Sequence, residues 1–183
     1  MKQREIVLRR VARKCGDFAR QLSYHRSLTK YKDSFRLNFW KTVFNNAIDL
    51  AVLDWLHLFG SDKDDLHWKR IIKDTQNFKS GLLMYLGLDD SAWKDYRKTV
   101  KEYRDKDVAH IEVRPVGNVP NLNTALKAAD YYYEHVYREL EPLGDYSGWS
   151  NDLFDYYSRN LEEAEEIVSL AYNSTKEMEE KVF

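Results

Sequence analysis

Only one cysteine, three prolines and seven glycines occur in the 183 residues of this chain. The lone Cys15 excludes a disulfide framework within the chain and fits a reducing compartment. The scarce prolines and glycines gather at a few breaks and leave long stretches free to run as helices. Long apolar runs are missing as well. The opening MKQREIVLRR has no signal-peptide core, and no stretch approaches the ~18 consecutive apolar residues of a membrane span. A soluble, cytoplasmic protein with no membrane partner is expected. A Gly-rich phosphate loop, a CxxC pair, an HExxH motif and a GxSxG elbow are also lacking, so no cofactor or metal is expected. No segment alternates long enough for a sheet, and no repeat of ~20–50 residues appears.

What is present is helical periodicity. Val7, Val11, Cys15, Phe18 and Leu22 step by three or four, predicting a first amphipathic helix over about 3–28 with Cys15 packed in its core face. Asp33 or Ser34 is placed to cap a second helix, which Gly60 stops. Leu37, Trp40, Phe44, Ala47, Ala51, Trp55 and Leu58 form one apolar stripe on it, and Phe39, Val43, Leu50 and Leu53 form another. Two stripes predict cover on most sides, hence a place at the centre of the bundle.

The link SDKDD leads to a short helix with Leu66, Trp68 and Ile71. Its aspartates, between His57 and His67, read more simply as helix-start acids than as metal ligands. Phe78, Leu82 and Leu86 mark a helix ended by Gly87, and Asp90 is the expected cap of the next, which carries Trp93, Tyr96, Val100 and Tyr103. IEVRPVGNVPN reads as a loop, Leu122 to Leu140 as another helix, and Leu153 to Ala171 as the last. The expected fold is all-α: a single domain over 1–183, a bundle of five to seven helices, with 145–183 as an optional appended C-terminal helix. In YYYEH, Tyr131 to His135, three successive rings cannot all face one core, which leaves some for a partner or ligand.

The charge is lopsided. Residues 1–41 hold twelve Lys and Arg against Glu5, Asp17 and Asp33, a net of +9; residues 134–183 hold thirteen acids against four bases, a net of −9. Either the first and last helices lie side by side and neutralise each other, or a basic face awaits a polyanion such as RNA.

One stretch concentrates candidate chemistry. YRDKDVAHIE, Tyr103 to Glu112, sets Arg104 and His110 six positions apart at a helix end. The bare spacing of Arg, four to six residues, then His also occurs at Arg20 to His25, but inside a continuous helix, where a histidine packs or faces solvent. On a straight helix six residues turn ~600°, so the Arg104 and His110 side chains would point about 120° apart. They can grip one phosphate only if the helix breaks between them or two chains share the site. Asp107, three positions from each, offers a plain alternative: an ion-pair network at a helix end.

Arg104, Asp105 and the pair Ala109-His110 resemble the signature of the HEPN superfamily, an arginine, a polar residue, and a histidine four to six residues past the arginine. LFGSDKDDLHWKRI, Leu58 to Ile71, resembles segments of abortive-infection HEPN-like proteins of bacteria. The resemblance implies a small helical homodimer, a metal-independent endoribonuclease of toxin–antitoxin or phage-defence systems, and an antitoxin or nucleotidyltransferase partner. It implies that Arg104 and His110 are catalytic and meet their copies at the dimer interface. Asp105 matches the polar position, where an acid in place of the usual Asn would repel phosphate, and Asp107 is a further supporting residue. Lys101, Lys106 and Arg114 are the candidate holders of single-stranded RNA. The competing reading is a non-catalytic helical binding or scaffold module of the same fold.

Overall fold

The computed structural model describes residues 2–105 and 119–180, and among these it is all-helical, with seven helices and no strand. They are α1 Lys2–Thr29, α2 Asn38–Phe59, α3 Trp68–Ile71, α4 Thr75–Leu86, α5 Asp90–Tyr103, α6 Asn123–Leu140 and α7 Leu153–Thr175. Single 3₁₀ turns occupy Lys32–Ser34 and Glu141–Leu143. None of these helices is long and apolar enough to cross a membrane.

The central helix is α1, not α2. It packs against α2, α6 and α7. Its small residues explain how it meets three neighbours. Ala12, Cys15 and Ala19 are buried among Leu8, Val11, Phe18 and Leu22. Ser23 and Ser27 are buried too, their hydroxyls donating to the carbonyls of Arg20 and Tyr24 one turn back. On α2 the first predicted stripe is inside: Trp40, Ala47, Ala51, Trp55 and Leu58 are buried. The second is not, since Phe39 is 63% and Leu50 45% exposed.

Direction follows from the bonds between helices. Lys14 reaches Asp54 at 2.7 Å and His25 stacks on Phe44 at 4.2 Å, so α2 runs antiparallel to α1. Arg4 forks onto Glu139 through Nε and Nη2, and Arg26 meets Asn123, so α6 is antiparallel as well. α7 runs parallel to α1: Gly16 lies against Tyr156, while Tyr31 lies tilted against Tyr172 at 4.4 Å.

The aromatic residues fill the space between α2, α4, α5 and α6. Trp55, Phe59, Trp68, Phe78, Trp93 and Tyr132 are all fully buried. Burying one such ring is worth about 1.5–3 kcal/mol, less where a polar atom is left without a partner, as Trp68 Nε1 is. Trp55 Nε1 donates to the Ala125 carbonyl at 3.1 Å and Tyr132 Oη to the Leu66 carbonyl at 3.1 Å. YYYEH is accommodated because α6 has neighbours on several sides. Tyr132 and Tyr133 are buried, and Tyr131 and His135 lie against Phe78 on α4.

Helix ends divide into those written locally and those supplied from afar. Asp74, Asp89 and Asp152 cap α4, α5 and α7 by accepting the N–H groups of Asn77, Ala92 and Asp155. The α5 cap is therefore Asp89, one residue before the expected Asp90, which instead pairs with Lys79. Gly87, in the left-handed region at φ +65°, closes α4. At α2 the expected caps Asp33 and Ser34 are used up in the preceding 3₁₀ turn, and the N–H of Asn38 donates to Glu180 at 2.7 Å. The far end of α2 is closed by Arg97, whose Nε and Nη2 donate to the carbonyls of Phe59 and Gly60 at 2.6 and 2.7 Å.

Candidate functional site

The last turn of α5 is pinned from inside. Val100 and Tyr103 are buried, and the Tyr103 hydroxyl donates to Asp49 on α2 at 2.8 Å. Arg104 keeps helical angles, φ −55° and ψ −47°, but the chain widens into a π turn over 104–105. The regular helix therefore ends at the candidate arginine, and the straight-helix geometry of the sequence argument stops there. The Arg104 side chain is 32% exposed, and its Nε donates to Asp105 Oδ1 at 2.5 Å. Its other N–H groups meet no partner among the described residues. Lys101, one turn earlier, is exposed. The structure thus brings Arg104 and Asp105 together. Lys106, Asp107, His110 and Arg114 lie outside the described residues.

One face of α2, the helix to which Tyr103 is tied, carries exposed apolar residues. Asp49, which receives the Tyr103 hydroxyl, adjoins Leu50, and Leu50 shares its face of α2 with half-buried Val43 and exposed Phe39. The other Arg–His spacing has a structural explanation. Arg20 is tied to Asp17 at 2.5 Å. His25 donates from Nδ1 to the Phe44 carbonyl at 3.2 Å, and burial lowers its pKa.

The acids of the α2–α3 link serve architecture. Asp62 binds Lys69 at 2.6 Å, Asp64 lies 3.8 Å from His57, and Asp65 lies 3.4 Å from Arg70. His67 is fully buried and accepts the Lys69 N–H on Nδ1, which fixes the neutral ring with its proton on Nε2. That proton has no hydrogen-bond partner; Asp62 Oδ1, at 3.4 Å, is poorly placed to accept it. Burial outweighs the attraction of Asp62 and lowers the His67 pKa to about 4. Among the described residues no three His, Cys, Asp or Glu side chains gather as a metal site would require. Cys15 lies in the core, where burial pushes its thiol far above the usual range.

Sequence reasoning missed a cleft of about 330 Å³ between the middle of α1, the turn at 144–152 and the start of α7. Arg13, Arg20 and Arg159 line it together with Trp149 and Tyr156. Arg13 and Arg20 had a signal in the basic excess of 1–41; Arg159 lies in the acidic segment and Trp149 in a turn, where nothing in the sequence marks either. The opposed charges of α1 and α7 are not paired across the helix contact. Among the described residues no salt bridge joins the two helices.

Comparison of the chain with protein-family models, with curated proteins and with solved structures found no match.

Proposed function

We propose that this protein is a metal-independent endoribonuclease of the HEPN type, a toxin or phage-defence effector, in which Arg104 and His110 of two copies share one cleft. The reading is carried by one juxtaposition. A half-buried arginine ends α5 with most of its guanidinium unpartnered among the described residues, and α2, to which α5 is tied through Tyr103 and Asp49, carries an uncovered apolar stripe containing Phe39 and Leu50. Such a stripe suits a second copy. Symmetry then supplies what the chemistry needs, two imidazoles and two guanidinium groups around one phosphate. One histidine takes the proton of the ribose 2′-hydroxyl, whose oxygen attacks phosphorus, and the other gives a proton to the departing 5′-oxygen. The arginines hold the non-bridging oxygens as negative charge grows on them. The products are a 2′,3′-cyclic phosphate and a 5′-hydroxyl.

The competing reading, a non-catalytic helical binding module, draws on the short bond from Arg104 to Asp105, which already engages the guanidinium. Two variants separate them. Leu50→Glu is expected to convert a dimer to a monomer in sedimentation velocity and to abolish RNA cleavage. Arg104→Ala is expected to lower cleavage at least 100-fold while leaving the circular dichroism spectrum unchanged. Full activity in either variant rejects the ribonuclease reading at this site.

A further inference from the structure

We infer that the cleft between α1, the 144–152 turn and α7 binds a single-stranded nucleic acid, with phosphates on the arginines and one base on Trp149. The inference is independent of whether the chain cuts RNA. Three arginines, Arg13, Arg20 and Arg159, line one concavity, and no acidic residue is among its lining. Arg20 donates one N–H to Asp17 at 2.5 Å, and Arg159 forms an ion pair with Asp155 at 2.6 Å. That fixes their direction and leaves further donors for phosphate oxygens. Arg13 is exposed and has no hydrogen-bond or ion-pair partner among the described residues.

The aromatic side is built rather than incidental. Trp149 is half-buried and held edge to face with Tyr146 at 5.6 Å. Its backbone N–H donates to the Tyr146 carbonyl at 2.9 Å, and Tyr133 Oη bonds the carbonyl of the next residue, Ser150. A fixed ring beside cations is the arrangement that stacks a base while its phosphate is held. The floor is Gly16, in the middle of a 28-residue helix, where glycine is the poorest former after proline. Packing does not demand it. An alanine methyl there would meet Tyr156 at 3.7 Å, an ordinary contact. The missing side chain serves the space above it.

The length of the basic surface selects a strand over a single nucleotide. Arg13 also borders a smaller hollow with Ile6, Arg9 and Arg10. From Ile6 to Arg20 this face of α1 runs about 21 Å, and Arg9 and Arg10 are exposed without hydrogen-bond or ion-pair partners among the described residues. The opposite direction is closed to a polyanion. α7 runs parallel to α1 and carries exposed Glu162, Glu163, Glu165 and Glu166 beyond the cleft. The strand therefore leaves toward the N-terminal half of α1.

The test is fluorescence anisotropy with the full chain and a labelled 2′-O-methyl RNA of about ten nucleotides, which lacks the attacking hydroxyl, titrated at several salt concentrations. Arg13→Ala and Arg159→Ala are expected each to flatten the plot of log K against log salt by about 0.7. Trp149→Ala is expected to weaken binding about tenfold; Arg13 is exposed, so its variant keeps the test decisive if the turn loosens. Lys98→Ala, on an exposed lysine of α5 paired with Glu102, should change neither slope nor affinity. Unchanged slopes in both arginine variants, or a mononucleotide bound as tightly as the strand, would overturn the inference. A protein that binds this strand but cuts no RNA keeps the inference and loses the ribonuclease reading.

Discussion

The link between α2 and α3 and the N-terminal half of α1 are both rich in charge, but they use it differently. Asp62, Asp64 and Asp65 of the link each face a base or a histidine within 3.8 Å, two of them Lys69 and Arg70 of α3. Nearby, Arg97 spends its guanidinium on two backbone carbonyls. On α1, Arg4 is bound to Glu139, but Arg9, Arg10 and Arg13 have no such partner among the described residues. Charge that is paired holds helices in place. Charge left unpaired on one face, next to a fixed tryptophan, is available to a ligand. Net charge, −1 for the whole chain, records none of this.

The comparison can be broken at its structural end first. Arg97→Ala strips the end of α2 of both charged hydrogen bonds and should cost about 3 kcal/mol of stability, read by urea denaturation. A loss under 1 kcal/mol would mean that water replaces the guanidinium at those carbonyls.

A second prediction concerns pH. Folded His67 titrates near pH 4 against an ordinary 6.5, because its ring is buried. Between those values the unfolded chain binds a proton that the folded chain refuses, so stability is full above pH 6.5 and falls as pH drops through the window. The loss attributable to this group approaches about 3 kcal/mol at the acid end. Lys69, Arg97, Asp62 and Asp64 all act on the ring, with burial the largest cause. Asparagine at 67 retains an acceptor for the Lys69 N–H. His67→Asn should therefore flatten the pH dependence between 6.5 and 4; His25, lowered in the same direction, keeps part of the slope, and Asp54 and Asp130, raised by burial, oppose it. Parallel curves for the two proteins would contradict this.

The smallest effect is expected at the other end of the comparison. Arg10→Ala and Arg13→Ala should shift stability by less than about 0.5 kcal/mol, since neither holds a structural partner. A larger loss would place these arginines in the architecture and remove the contrast.

Much of the fold was legible because helices announce themselves by period and by stop. The extent of α1 and the ends of α2 and α4 at Gly60 and Gly87 follow from the order of residues alone. The misplacements share a cause: they depend on residues remote in sequence. The cap of α2 is Glu180, which no local pattern near Asp33 can reveal. The choice of central helix turned on the small residues of α1, which admit three neighbours, against two apolar stripes on α2, of which one stays uncovered. Of the candidate site, the position of Arg104 at the end of the Trp93–Tyr103 stripe was legible; the loss of regular α-helix at 104–105 was only one of two alternatives the spacing left open. Its pairing with Asp105 was not, because adjacent side chains on a straight helix diverge. Trp149, in a turn, acquires meaning only once α1 and α7 bring arginines to it.

Cleavage chemistry is tested most directly by the ends it leaves. Single-stranded RNA incubated with the protein in EDTA should yield fragments carrying 2′,3′-cyclic phosphate and 5′-hydroxyl termini by mass spectrometry, and His110→Ala should yield none. RNA left whole by the wild-type protein, or the same fragments from His110→Ala, would contradict the assignment.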